Sequence, residues 1–126
     1  VKFSANVARV SSEAVSTTTN TAPQTKVTGT AGPLPAGDYL ITAYCELKVS
    51  AVVANSGVRG LVMLDGNEVG QSNEGLDDQW HPFSAGGQAT FKAGESPTFA
   101  ITYERIGALN TVEIRRARLS IQQQKG

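Results

Sequence analysis

The chain has 126 residues, with 11 basic and 11 acidic side chains, so its formal net charge is zero. That length suffices for one domain with its own core, and the balanced charge supplies no global field to draw it to nucleic acid or to a membrane surface. The single cysteine, Cys45, excludes an intrachain disulfide and fits folding in a reducing cytosol.

No hydrophobic run is long enough to span a bilayer, and no basic-apolar leader opens the chain. The chain begins at Val1, and we expect a complete one-domain protein that has lost its initiator methionine. Residues 11–32 are mostly Ser, Thr, Asn, Gln and Ala. The threonines at 17, 18, 19, 25, 28 and 30 favour extended backbone over helix. We therefore expect an extended polar N-terminal arm over residues 1–32. It should hold short strands near 14–19 and 25–30, joined by a loop at 20–23, and order in part only against a partner.

Residues 33–126 read as a β-sandwich. Tyr39, Ile41, Ala43, Cys45, Leu47 and Val49 alternate with Leu40, Thr42, Tyr44, Glu46 and Lys48, which gives a long strand with one core face. A loop at residues 55–57 precedes a second strand over 58–65. Asp65-Gly66-Asn67 is a hairpin signal and returns the chain through 68–72. A polar loop runs to Asp78. Short strands follow at 80–83 and 88–92, then strands at 98–106 and 111–122. Two strand openings echo each other: Ala36-Gly37-Asp38 before Tyr39, and Ala93-Gly94-Glu95 before Pro97. Each is a tight glycine turn before an alternating run.

The last strand changes parity. Val112 and Ile114 are apolar on one phase, and Ala117, Leu119 and Ile121 on the other. A flip of this kind requires a bulge or a change of sheet; we expect a bulge at Arg115-Arg116, with at least one arginine turned outward. Short strands, frequent turns and no helical period define an all-β antiparallel sandwich of jelly-roll type. Its inner face should carry Tyr39, Ile41, Ala43, Cys45, Leu47, Val62, Leu64, Phe91, Phe99, Ile101 and Tyr103.

No set of acid, base and nucleophile is visible. His81 is the only histidine, which leaves no second imidazole for a metal site. Cys45 lies on the core phase, where a thiol is inert. Asp65, Glu68, Glu74, Asp77 and Asp78 are oxygen donors suited to calcium, but their spacing matches no calcium loop. We therefore expect no catalytic residue, no metal and no cofactor, and a protein that is not an enzyme. Arg115, Arg116 and Arg118 make the C-terminal strand basic, opposite in sign to the 65–78 region. With few aromatics nearby, nucleic acid is not the expected partner. Contact between copies fits better, with Arg115, Arg116 and Arg118 against Asp65, Glu68, Asp77 and Asp78 of a neighbour, or against acidic groups of another protein.

Three segments carry a resemblance: residues 36–43 (Ala-Gly-Asp-Tyr-Leu-Ile-Thr-Ala), the 62–70 hairpin (Val-Met-Leu-Asp-Gly-Asn-Glu-Val-Gly) and the 112–119 ending (Val-Glu-Ile-Arg-Arg-Ala-Arg-Leu). Over residues 35–121 the chain resembles small jelly-roll proteins of tailed bacteriophages, which include capsid cement proteins and terminal domains of tail fibres. The architecture is also similar to the trimeric jelly rolls of tumour necrosis factor and complement C1q. The resemblance implies a virion structural protein on the outer surface of a capsid, made in the cytoplasm of a host bacterium. Its partners would be the major capsid protein and itself, as a homotrimer or else a dimer. One domain with a polar arm favours the cement role. Val1, Lys2, Phe3, Val7, Arg9 and Val10 would then grip the shell, and the off-core Leu40, Tyr44, Leu61 and Met63 would form the subunit contact. The alternative is a receptor- or carbohydrate-binding tip domain of a tail or fibre, with Trp80 and His81 as ligand contacts.

Overall fold

The computed structural model describes residues 2–50, 57–71, 78–107 and 111–125. These form nine strands: β1 (Lys2–Ser12), β2 (Ser16–Thr18), β3 (Gln24–Thr30), β4 (Gly37–Val49), β5 (Gly57–Leu64), β6 (Asn67–Gln71), β7 (His81–Phe91), β8 (Thr98–Ile106) and β9 (Val112–Lys125). One sheet has the order β1-β9-β4-β7, with β2 also on β9; the other has the order β3-β8-β5-β6. All the pairings are antiparallel. Apart from the β1–β2 step and the β5–β6 hairpin, each connection crosses from one sheet to the other, which is the jelly-roll path.

Period-two patterning builds the two layers. On β4, Tyr39, Ile41, Cys45, Leu47 and Val49 are at most 2% exposed. They meet Val62 of β5 and Phe99, Ile101 and Tyr103 of β8 in a single core. Every residue expected on the inner face is buried except Leu64, which is half-buried and packs against the core. The Asp65-Gly66 hairpin forms with φ of 50° and 81° at its two central residues. Positive φ at both positions is what a two-residue type I′ turn requires.

Three expectations need correction. The first concerns the N-terminal third, which is extended but built into both sheets. β1 pairs with β9 from Lys2↔Lys125 to Ser12↔Ala117. β2 takes the same edge of β9 further along, from Ser16↔Ile114 to Thr18↔Val112. β3 pairs with β8, and Val27 and Ala31 are buried in the core. β1, β2 and β3 thus share the two sheets with the strands that follow residue 32. Removing β1 would uncover the edge of β9 and the part of the core that Ala8 and Val10 cover.

The second correction concerns β7. The short strands expected at 80–83 and 88–92 are one strand, paired without a break to β4 from Leu47↔His81 to Gly37↔Phe91. Ser84, Ala85, Gly86 and Gly87 have little intrinsic strand preference, and the long alternating partner imposes it. The third concerns Leu61. It is 6% exposed within one copy, on the face of β5 opposite Val62, and so offers little surface to a second copy. Leu40, Tyr44 and Met63 are half-buried.

The segment just ahead of the first echoing turn meets the second turn. Leu34 N donates to Glu95 O at 2.9 Å, Gly94 N to Leu34 O at 2.8 Å, and Ala31 N to Pro97 O at 2.9 Å. The segments that open β4 and β8 are therefore fastened together at one end of the sandwich. Of the expected loops, residues 55–56, 72–77 and 108–110 lie outside the described residues.

Candidate functional site

The parity flip of β9 is a bulge, and it organises the outer face of the larger sheet. Tyr44 pairs with Arg118 and Glu46 with Arg115, so Arg116 and Ala117 together oppose Cys45. Arg116 has φ of 52°, a left-handed conformation that is uncommon outside glycine. Ile114 and Ala117 both face the core at 0% exposure. The bulge lets these apolar residues stay inward while Arg115, Arg116 and Arg118 share the outer surface. Here too the chain passes from β1 to β2. Arg116 N donates to Glu13 O at 3.4 Å, and Lys26 Nζ donates to Ala14 O at 2.6 Å and to Ser16 Oγ at 2.7 Å.

The arginines are partnered within the chain, by Glu46 and Glu13. Arg115 Nε donates to Glu46 Oε1 at 2.6 Å, and an Arg116 guanidinium N–H donates to Glu46 Oε2 at 3.3 Å. Tyr44 OH donates to Glu46 Oε2 at 2.7 Å. Arg118 grips Glu13 with two hydrogen bonds, at 3.1 and 2.6 Å, and its guanidinium lies 5.6 Å from the Tyr44 ring centroid. Arg115 stacks on Trp80 at 4.2 Å, and Lys48 Nζ is 5.3 Å from that ring. These contacts form one lateral chain, running Trp80–Arg115–Glu46–Tyr44–Arg118–Glu13.

The Glu46 carboxyl sits low as a result. Hydrogen bonds from Tyr44 and Arg115, then the charges of Arg116 and Arg115, outweigh burial and hold its pKa down to about 2. The same bond raises the Tyr44 phenol. The Arg118 hydrogen bonds lower the Glu13 carboxyl. A carboxyl held lower when folded than when unfolded stabilises the fold above its unfolded pKa and loses that contribution as pH falls. Allowing for solvent screening at this surface, Glu46 contributes on the order of 1–2 kcal/mol at neutral pH. We expect the melting temperature to fall between about pH 5 and about pH 2. Glu46→Gln should flatten that part of the profile, as read by thermal melts across the pH series. Burial, followed by the nearby Glu46 charge, pushes the Cys45 thiol up to about 12, so it is no thiolate near neutral pH.

Beside this chain lies a groove of about 450 Å³, lined by residues including Arg9, Ser11, Glu13, Thr42, Tyr44, Arg118 and Ser120. Thr42 Oγ1 and Ser120 Oγ share a hydrogen bond of 2.7 Å at its floor. Of the expected site residues, Arg9, Tyr44, Trp80, Arg115, Arg116 and Arg118 meet along this face. Trp80 is half-buried with cations against its ring, and His81 begins β7 opposite Leu47. Asp65 accepts from Thr98 N at 2.9 Å, Glu68 is exposed on β6, and Asp78 is exposed beside Gln79. Glu74, Asp77 and Val1 lie outside the described residues, as do the side chains of Lys2, Phe3 and Val7. Arg9 is exposed, and Val10 packs against the core. Glu13, Glu46, Ser11, Thr42 and Ser120 did not stand out in the sequence. The off-core phase of β4 was a signal for Thr42 and Glu46, but nothing local revealed their neighbours across the sheet.

The geometry defines a jelly-roll β-sandwich. No family model matches the chain, and no curated protein matches it. Among solved structures it is similar to Eiger TNF from S. frugiperda, at 8% identity over 95% of this chain and 94% of that one, with a TM-score of 0.57. It is also similar to the C-terminal domain of EclA, a sugar-binding protein, at 18% identity over 94% of this chain and 79% of that one, with a TM-score of 0.49. A third is dimeric latent PorU from Porphyromonas gingivalis, at 10% identity over 98% of this chain and 14% of that one, with a TM-score of 0.48. The likeness to Eiger TNF shows the fold alone, and the two lower scores carry no argument.

Proposed function

We propose that this jelly roll is a non-catalytic virion structural protein, a cement protein that binds the outer surface of a tailed-phage capsid. It would bridge major capsid protein subunits, as a homotrimer first and a dimer second. One observation carries the reading: the braced arginine face of the β1-β9-β4 sheet. Glu46 and Glu13 hold the guanidiniums in place on rigid strands, while the side chains of Arg116 and Arg118 stay 50% and 54% exposed. Each keeps donors for a second carboxylate, supplied by the shell or by another copy, and little side-chain entropy remains to be lost on docking. Arg115, at 28%, is committed to Glu46 and Trp80.

The test is copurification with full capsids or with tails, followed by binding to purified capsids at low and high salt. Arg116→Ala and Arg118→Ala should each weaken capsid binding by about 1 kcal/mol or less, with the loss shrinking as salt rises. Parental binding by both variants at both salts would sink the reading.

The groove favours a second reading, a saccharide-binding domain of a tail or fibre tip. Its short hydroxyl side chains lie between a tyrosine and charged groups, a combination suited to a polyol. On this reading the ligand contacts would be Thr42, Tyr44 and Ser120, which line the groove as Trp80 and His81 do not.

A further inference from the structure

We infer that the groove between β1, β9 and β4 is selective for an acidic saccharide, one whose sugar ring carries a carboxylate; this rests on the saccharide-binding reading above. Strand register sets the geometry. Arg9, Ser120 and Thr42 form one row across three strands, and Ser11, Arg118 and Tyr44 form the next. Same-face rows stand about 6–7 Å apart, two residues along each strand. The first row is low, because serine and threonine are short. The Tyr44 and Arg118 side chains rise beside it and make a wall. The resulting volume, about 450 Å³, lies within the range of small-molecule sites.

Charge then selects the ligand. The groove has two guanidiniums and one carboxylate, Arg9, Arg118 and Glu13. Arg118 already takes both oxygens of Glu13. Arg9 is exposed and makes no ion pair among the described residues. One positive charge is therefore left for a ligand, and the planar guanidinium fork matches a carboxylate in two-point geometry. The floor requires more than an anion. When one hydroxyl of the Thr42–Ser120 pair donates to the other, the second proton and the remaining lone pairs are free to donate and accept. A bare anion has no use for acceptors, whereas a sugar hydroxyl uses both functions.

The probes are sialyllactose, trigalacturonate, lactose and inorganic phosphate, titrated into the full chain by calorimetry and by amide shift perturbation. The acidic saccharides should shift the amides of Arg9, Thr42 and Ser120, and lactose should bind at least about tenfold more weakly. Arg9→Gln should abolish that preference, and Thr42→Val should weaken all the saccharides together. Melting curves like the parent's establish that both variants are folded. Equal binding of lactose and sialyllactose, unchanged by Arg9→Gln, overturns the acidic selectivity and leaves the saccharide reading standing. Phosphate competing on equal terms marks a plain anion site and overturns the inference. Binding of none of the four probes removes both the inference and the saccharide reading.

Discussion

Gly32→Ala destabilises the sandwich by about 2–4 kcal/mol. Gly32 has φ of 116°, where a residue with a Cβ is strained. A Cβ there would also stand 2.7 Å from Glu95 O and 3.0 Å from Ser96 Cα. Both are backbone atoms, and the flanking hydrogen bonds from Ala31 and Leu34 hold them in place. Relief requires parting the 31–34 and 94–97 segments, which fasten the opening of β4 to that of β8. In a domain of this size the melting temperature should fall by about 10 °C. Gly66→Ala is the control: φ is 81°, but nothing lies within 4 Å of the added carbon, so strain alone should cost about 1 kcal/mol. Equal melting of the two variants would show that the close approach to the 94–97 turn contributes nothing.

Glu46→Ala is the second large effect, at roughly 2–4 kcal/mol. Glu46 is 9% exposed and serves Tyr44, Arg115 and Arg116 together. Truncation leaves two guanidiniums side by side and a phenol without its acceptor, so the cost exceeds that of an exposed ion pair. The change also reaches Trp80, because Arg115 stacks on it only 4.2 Å away. Urea unfolding should show the loss of stability, and the folded variant should show altered tryptophan fluorescence. Arg115→Ala in the Glu46→Ala background should add less than it costs alone, since the partners are coupled. Full additivity in that cycle, with parental fluorescence, would remove the lateral chain as an energetic unit.

Neither result depends on which partner the protein meets. The second bears on the candidate site, because the groove and the arginine face share Tyr44 and Arg118 with this network. Loss of Glu46 should therefore loosen the wall of the groove as well as the fold.

Much of the architecture was legible locally. The alternation of β4 named its buried face, since successive side chains must point to opposite sides of a strand. Asp65-Gly66 named its own turn, because few residue pairs accept positive φ twice. The parity change between Ile114 and Ala117 named a bulge, because a strand cannot otherwise keep both apolar sets inward. Other outcomes depended on partners distant in sequence. Residues 2–12 carry little that marks a strand, and β9, more than a hundred residues away, supplies the ladder that makes them one. Leu61 had the phase of an outward residue, yet tertiary packing buries it. The arginines could be read as outward, but not as partnered. Glu46 meets Arg115 across 69 positions and Glu13 meets Arg118 across 105, through sheet register that only the assembled fold decides. Local sequence determined which way each side chain points, because backbone geometry is a property of neighbours. Tertiary structure alone decided what each one touches, because cross-strand register is set by which strands the whole core brings together.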